Sequence, residues 1–188
     1  MAQSNTHSSR DPVLRIAMVL IRIMQIFTIL GVAALAVGSV LVLVFQDKLL
    51  AEIASSYPDI SASFPYLLAA FLLGMILLLG LFWLQLSRLR AIVGTVDDGQ
   101  PFARINGERL RFIAILILLQ QFAVLMIVPV IAGMQSAAGR YAGSDIDEFR
   151  TIDFEISLTA LLVALLLIIL GRVFEQGADM QEELEGTV

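Results

Sequence analysis

The stretch Pro65-Tyr-Leu-Leu-Ala-Ala-Phe-Leu-Leu-Gly-Met-Ile-Leu-Leu-Leu-Gly-Leu-Phe-Trp-Leu-Gln-Leu-Ser87 runs between Asp59 and Arg88 without a charged residue. About 20 apolar residues at 1.5 Å per residue cross about 30 Å of hydrocarbon, so this segment is long enough to span a bilayer. Three more segments read the same way: residues 23–45 between Arg22 and Asp47, 112–134 between Arg111 and Arg140, and 156–174. The last contains Arg172, which is expected to snorkel its guanidinium to the interface. Backbone amides in hydrocarbon need internal partners. Continuous apolar runs meet that need as helices, whereas barrel strands would alternate apolar and polar positions. The expected fold is therefore all-α, an integral membrane four-helix bundle.

Composition agrees. The chain is 59% hydrophobic and only 15% charged, well below the charged share of soluble domains. It has no cysteine, which excludes disulfides, thiolate metal sites and thiol-linked lipid anchors. Its single histidine, His7, lies in a polar N-terminal tail and reads as a solvated residue.

The arginines set the expected orientation. Four spans put both tails and the middle loop on one side, with Arg10, Arg15, Arg22, Arg88, Arg90, Arg104, Arg109, Arg111 and Arg172. Lys48, Arg140 and Arg150 lie on the other side. The basic side is cytoplasmic by the positive-inside rule, so both termini are expected in the cytoplasm of a bacterial inner-membrane protein. Ala34-Leu35-Ala36 has the small-x-small form of a signal-peptide cleavage site, but the apolar run continues to Phe45, so an uncleaved first span is expected.

Residues 1–12 read as a disordered polar tail, 13–176 as the transmembrane domain and 177–188 as an acidic cytoplasmic tail. In the first outer loop Leu49, Leu50, Ile53 and Tyr57 fall at helical spacing, which predicts a short interfacial helix ended before Pro58. The second outer loop carries Asp145, Asp147, Glu148, Asp153 and Glu155. Carboxylates can bind calcium, but their spacing fits no EF-hand loop, and a solvated acidic face is the plainer reading.

The inner loop is the most patterned. The second helix is expected to run through Val93, and Asp98-Gly99 followed by Pro101 is turn chemistry. Asn106 suits an N-cap for the third helix, and Phe102 should return to the membrane or pack on a helix. The tail holds Glu175, Asp179, Glu182, Glu183 and Glu185 against Arg172, with Gly177 a candidate interruption and Gly186 a candidate helix end.

No nucleotide loop, paired-histidine metal helix or nucleophile elbow occurs, so neither an enzyme nor a cofactor or metal site is expected. No ionisable residue occupies the centre of a span, where ion-coupled transporters place one. The polar residues within the membrane include Gln25, Gln85, Gln120 and Gln121, a candidate intramembrane cluster. Because Gln120 and Gln121 point about 100° apart, at least one should face the bundle, and interhelical hydrogen bonding is the plainer role. Ala34 with Gly38, and Ala160 with Ala164, form small-xxx-small pairs, and Pro129 is a candidate kink.

Gly99-Gln-Pro101-Phe102, Asn106 and Arg109-Leu110-Arg111, with Val173-Phe174-Glu175-Gln176-Gly177-Ala178 and the acidic run to Gly186-Thr187-Val188, resemble a bacterial four-span family catalogued as domain of unknown function 2975. Members of that family are often encoded beside a small helix-turn-helix regulator. The resemblance implies, by association, a membrane partner for such a regulator. The leading expectation is a non-enzymatic interaction protein or sequestering anchor, with Arg104, Arg109, Arg111, Glu182, Glu183 and Glu185 as candidate partner-binding residues and no direct nucleic-acid binding. DNA-binding surfaces are basic, which suits them to an acidic tail. The alternative is a small permease or channel built as a homo-oligomer, with Gln120 or Gln121 lining the path.

Overall fold

The computed structural model describes residues 12–56, 60–138 and 157–185, and the side chains through residue 183. The expected disordered tail with His7 and Arg10, the acidic outer loop with Arg140 and Arg150, Tyr57-Pro58, and Gly186 lie outside the described residues.

Among the described residues five helices follow in order: α1 Pro12–Val44, α2 Gln46–Ser56, α3 Phe64–Asp97, α4 Arg104–Ala137 and α5 Leu158–Glu185. Among the described residues there is no strand. Four helices, all but α2, are long and apolar enough to cross a membrane, and the chain is a multi-pass four-helix membrane bundle. At 1.5 Å per residue the spanning helices are roughly 40–50 Å long, longer than the hydrocarbon layer. Their ends therefore stand beyond it.

The extensive helix interfaces follow chain order: α1 on α3, α3 on α4, α4 on α5. Each pair is antiparallel, since the contacts between partners run in opposite directions along the two chains. Between α1 and α3, Gly31 faces Leu79 and Gly38 faces Leu72. Between α3 and α4, Gly74 faces Ile127 and Gly133 faces Leu67, around a core of Leu81, Leu116 and Ala123. Lipid tails are as apolar as leucine, so close packing rather than burial from water holds such helices together. Large apolar side chains such as Phe27, Val44, Leu158 and Leu166 accordingly face outward.

Contacts at intervals of seven residues seat α5 on α4. Gly107, Ala114 and Gln121 mark one helix; Gly171, Ala164 and Ser157 mark the facing chain in reverse. At one end Gly107 and Gly171 meet backbone to backbone. At the other the Ser157 amide donates to Gln121 Oε1 at 3.2 Å. Between them Ala114 and Ala164 are 0% and 1% exposed. Of the two small-xxx-small pairs, Ala160/Ala164 thus belongs to a helix interface, while Ala34 is exposed beside Gly38.

The short outer helix occurs as expected over Gln46–Ser56, and its expected end before Pro58 lies outside the described residues. Backbone bonds from Phe45 N to Leu41 O and Leu49 N to Phe45 O carry the chain into it. Three local expectations are corrected. Helix α3 continues past Val93 to Asp97, with the Thr95 hydroxyl bonding back to Ile92 O within it. Asn106 is not the N-cap of α4; that place belongs to Ala103, and Asn106 N donates to Ala103 O inside the first turn. Gly177 does not interrupt α5, which continues to Glu185. Helix α4 spans Pro129 within its bounds.

Candidate functional site

The arginine-rich end of the bundle carries the densest set of specific contacts. Helix α3 ends there on Gly99, whose φ of 77° is one that other L-residues rarely adopt. The chain then turns through Pro101 and enters α4 at Arg104. This return places Asn106 under the turn, where it is fully buried.

A buried amide must find partners for both its ends, and Asn106 does. Its Nδ2 donates to the Pro101 carbonyl at 3.1 Å. Its Oδ1 accepts from Arg109 Nη1 at 3.0 Å and lies 2.9 Å from Thr95 Oγ1. The Thr95 hydroxyl also stands 2.7 Å from Ile92 O, so its one proton serves one acceptor at a time. Arg109 Nη1 donates further to the Ala91 carbonyl of α3 at 2.9 Å. Asn106 and Arg109 thus pin the turn and the start of α4 to the end of α3.

Helix α5 is fastened to the same turn. The rings of Phe102 and Phe174 lie 5.7 Å apart, tilted by 43°. Phe102 also covers Gly177, where an added Cβ would approach its ring to 3.0 Å. The missing side chain at Gly177 is what lets the ring lie against α5. Arg111 pairs with Glu175, and Arg104 Nη1 reaches Asp179 Oδ1 at 3.4 Å. Farther out, Gln100, Phe102, Ala103 and Arg104 face Ala178, Gln181 and Glu182 across a pocket of about 270 Å³.

The candidate partner-binding residues therefore divide. Arg104, Arg109 and Arg111 are each engaged within the chain. Glu182 lines the outer pocket, Glu183 is exposed and has an interaction of its own, and the side chain of Glu185 lies outside the described set.

The four glutamines do not converge. Gln85 Nε2 donates to Gln120 Oε1 at 2.9 Å, tying α3 to α4. Gln121 turns the other way and receives the amide of Ser157, whose own Oγ accepts from Ala160 N at 3.2 Å as the cap of α5. Gln25 lies apart, between α1 and α3, in a cavity at the arginine-rich end. The remaining α1 hydroxyls bond back to their own helix, Thr28 to Met24 O and Ser39 to Ala36 O.

Thr95 and the Gly107/Gly171 contact are absent from the sequence-based set. The seven-residue spacings Gly107 to Ala114 and Ala164 to Gly171 mark small positions on both helices, without saying that they face each other. Nothing in the sequence marked Thr95, since its role depends on the extra turn of α3. At the membrane boundary the Arg88 guanidinium lies 4.7 Å from the centre of the Phe112 ring, a cation–π contact joining α3 to α4.

Among the described residues no group of histidine, cysteine and acidic side chains is placed to hold a metal ion. Residues 48–188 match a protein family described as "Protein of unknown function (DUF2975)". No curated protein and no solved structure matches the chain.

Proposed function

Since the chain belongs to the DUF2975 family, whose description names no activity, we propose from its geometry that it is a non-enzymatic membrane anchor presenting a protein-docking surface. One observation carries this reading. Helix α5 continues beyond its apolar span to Glu185, and Phe102, Arg104 and Arg111 fasten it to the α3–α4 turn. The acidic end is therefore held on a short helical stalk at a fixed place beside the turn.

The arginine asymmetry supports a stalk on the cytoplasmic side of a bacterial inner membrane, with both termini inside. Glu175 and Asp179 are matched by arginines of the chain, and the candidate docking acids are those farther along the stalk, Glu182 at the outer pocket together with Glu183 and Glu185. The partner that suits them is a basic cytoplasmic protein, and the family resemblance suggests a small helix-turn-helix regulator. Its DNA-binding face must be basic to neutralise phosphates, and docking there would compete with DNA. The protein itself would not bind nucleic acid.

The test is capture of the regulator encoded beside the gene, cross-linked in membranes. The triple variant Glu182→Lys, Glu183→Lys, Glu185→Lys should lose capture while the bundle remains folded. Undiminished capture by that variant overturns the proposal.

A further inference from the structure

A second polar feature lies away from the stalk, on the face shared by α1 and α3. There a cavity of about 880 Å³ opens between the two helices. Its polar lining comprises Arg22 and Gln25 of α1 with Ser87 and Arg90 of α3. Its apolar lining includes Ile26, Ile29 and Trp83, which lie deeper along the spans.

The residues are ordered by depth. Arg22 and Arg90 flank the apolar runs 23–45 and 65–87, at the level of the lipid headgroups. Ile26, Ile29 and Trp83 lie within those runs and face hydrocarbon. Among the described residues neither arginine is in an ion pair. Gln25 is 9% exposed, and among the described residues its amide has no hydrogen-bond partner. No fully enclosed side-chain nitrogen or oxygen lacks a partner in the described set, so the Gln25 amide must face the open cavity. Leaving such a group unmatched beside hydrocarbon is unfavourable.

Two guanidiniums, an amide and a hydroxyl over an apolar cleft match one kind of molecule. We propose that this cavity binds an anionic phospholipid, its phosphate between Arg22 and Arg90 and an acyl chain along Ile26, Ile29 and Trp83. Arginine forks suit phosphate oxygens, and basic pockets between spanning helices recognise anionic headgroups. A free phosphate shares the headgroup chemistry but leaves the apolar floor unfilled, which favours the lipid. This site is independent of the acidic stalk and of any partner there.

Trp83 is the one tryptophan in the chain and lines the cavity, so its fluorescence reports occupancy. The full chain would be reconstituted in phosphatidylcholine bilayers containing brominated phosphatidylglycerol or, separately, brominated phosphatidylcholine. Brominated phosphatidylglycerol should quench Trp83 at a markedly lower mole fraction, with about a fivefold preference contributed by each arginine. Arg22→Gln with Arg90→Gln should abolish the preference, Arg22→Lys with Arg90→Lys should keep most of it, and Arg88→Gln, outside the cavity, should leave it intact. Equal quenching by the two lipids in the unaltered protein overturns the proposal, whether or not the variants fold. So does a preference that survives loss of both cavity arginines, or one that disappears equally with Arg88. Relief of quenching by millimolar inorganic phosphate would assign the cavity to a soluble anion and overturn the lipid.

Discussion

Gly107 of α4 and Gly171 of α5 meet without a side chain between them: a Cβ on Gly107 would stand 2.7 Å from the Gly171 carbonyl oxygen, and one on Gly171 would stand 2.9 Å from that of Gly107. Backbone has no rotamer with which to yield, so the helices must separate to admit a methyl group. Gly107→Ala or Gly171→Ala should destabilise the bundle by about 1–3 kcal/mol. Gly80→Ala, with nothing within 4 Å of the added atom, should be neutral or slightly stabilising. Equilibrium unfolding in mixed micelles measures both, and equal effects at Gly80 and Gly171 would refute the close crossing.

Asn106 should be the most sensitive polar position. Leucine there would strip partners from the Pro101 carbonyl and remove the acceptor that Arg109 and Thr95 share. A loss of about 2–3 kcal/mol is expected from the unmatched groups. Limited proteolysis should show faster cutting at residues 98–103 in Asn106→Leu; an unchanged digestion pattern would mean the turn is held by other contacts.

Gln85 and Gln120 should behave as a pair. Either one replaced by leucine leaves the other amide without its partner across α3 and α4, at about 0.6–2 kcal/mol. The double substitution should be less destabilising than the sum of the two singles, which a double-mutant cycle reads directly. Strict additivity would separate the two residues. Substituting Gln120 and Gln121 together also addresses transport: loss of solute flux with stability unchanged would favour the oligomeric permease over hydrogen bonding.

The two ion pairs at the stalk should differ in strength. The Arg111 and Glu175 side chains are 45% and 23% exposed, those of Arg104 and Asp179 63% and 54%. Water screens the second pair more. Double-mutant cycles should give about 0.5–1 kcal/mol for Arg111–Glu175 and about half of that or less for Arg104–Asp179. Both couplings should weaken as salt is raised, and a stronger outer pair would contradict the exposure argument.

Orientation can be checked on a background free of cysteine. Asp98→Cys and Glu182→Cys should both react with a membrane-impermeant maleimide only after the cytoplasmic side is opened. Labelling of either from outside intact cells would reverse the assignment of the stalk.

Much of this architecture was legible in the chain because a bilayer imposes a coarse test. A run such as residues 65–87 either is apolar for long enough or is not, and Gly99 before Pro101 must turn. Asn106 was singled out correctly as a residue that matters and placed in the wrong role, because asparagine ahead of an apolar run looks the same whether it caps a helix or is buried inside its first turn. Its true partners, Pro101 O, Arg109 and Thr95, come from three different segments. Glutamine posed a similar problem. Its presence in a span announced a hydrogen bond, but whether Gln120 or Gln121 would meet Gln85 depended on helix rotation.

The sequence by itself determined that four helices cross the membrane, since hydrocarbon accepts only segments that satisfy their own backbone and carry little charge. Tertiary structure alone decided which faces touch: that Gly107 meets Gly171, that Phe102 rests on Gly177, and that Arg22 and Arg90 share a cavity. Within lipid, apolar side chains gain as much from acyl tails as from one another, so hydrophobic pattern cannot say which stripe of a helix turns inward. That choice falls to close packing and to a few polar pairs, whose geometry exists only once the helices are assembled.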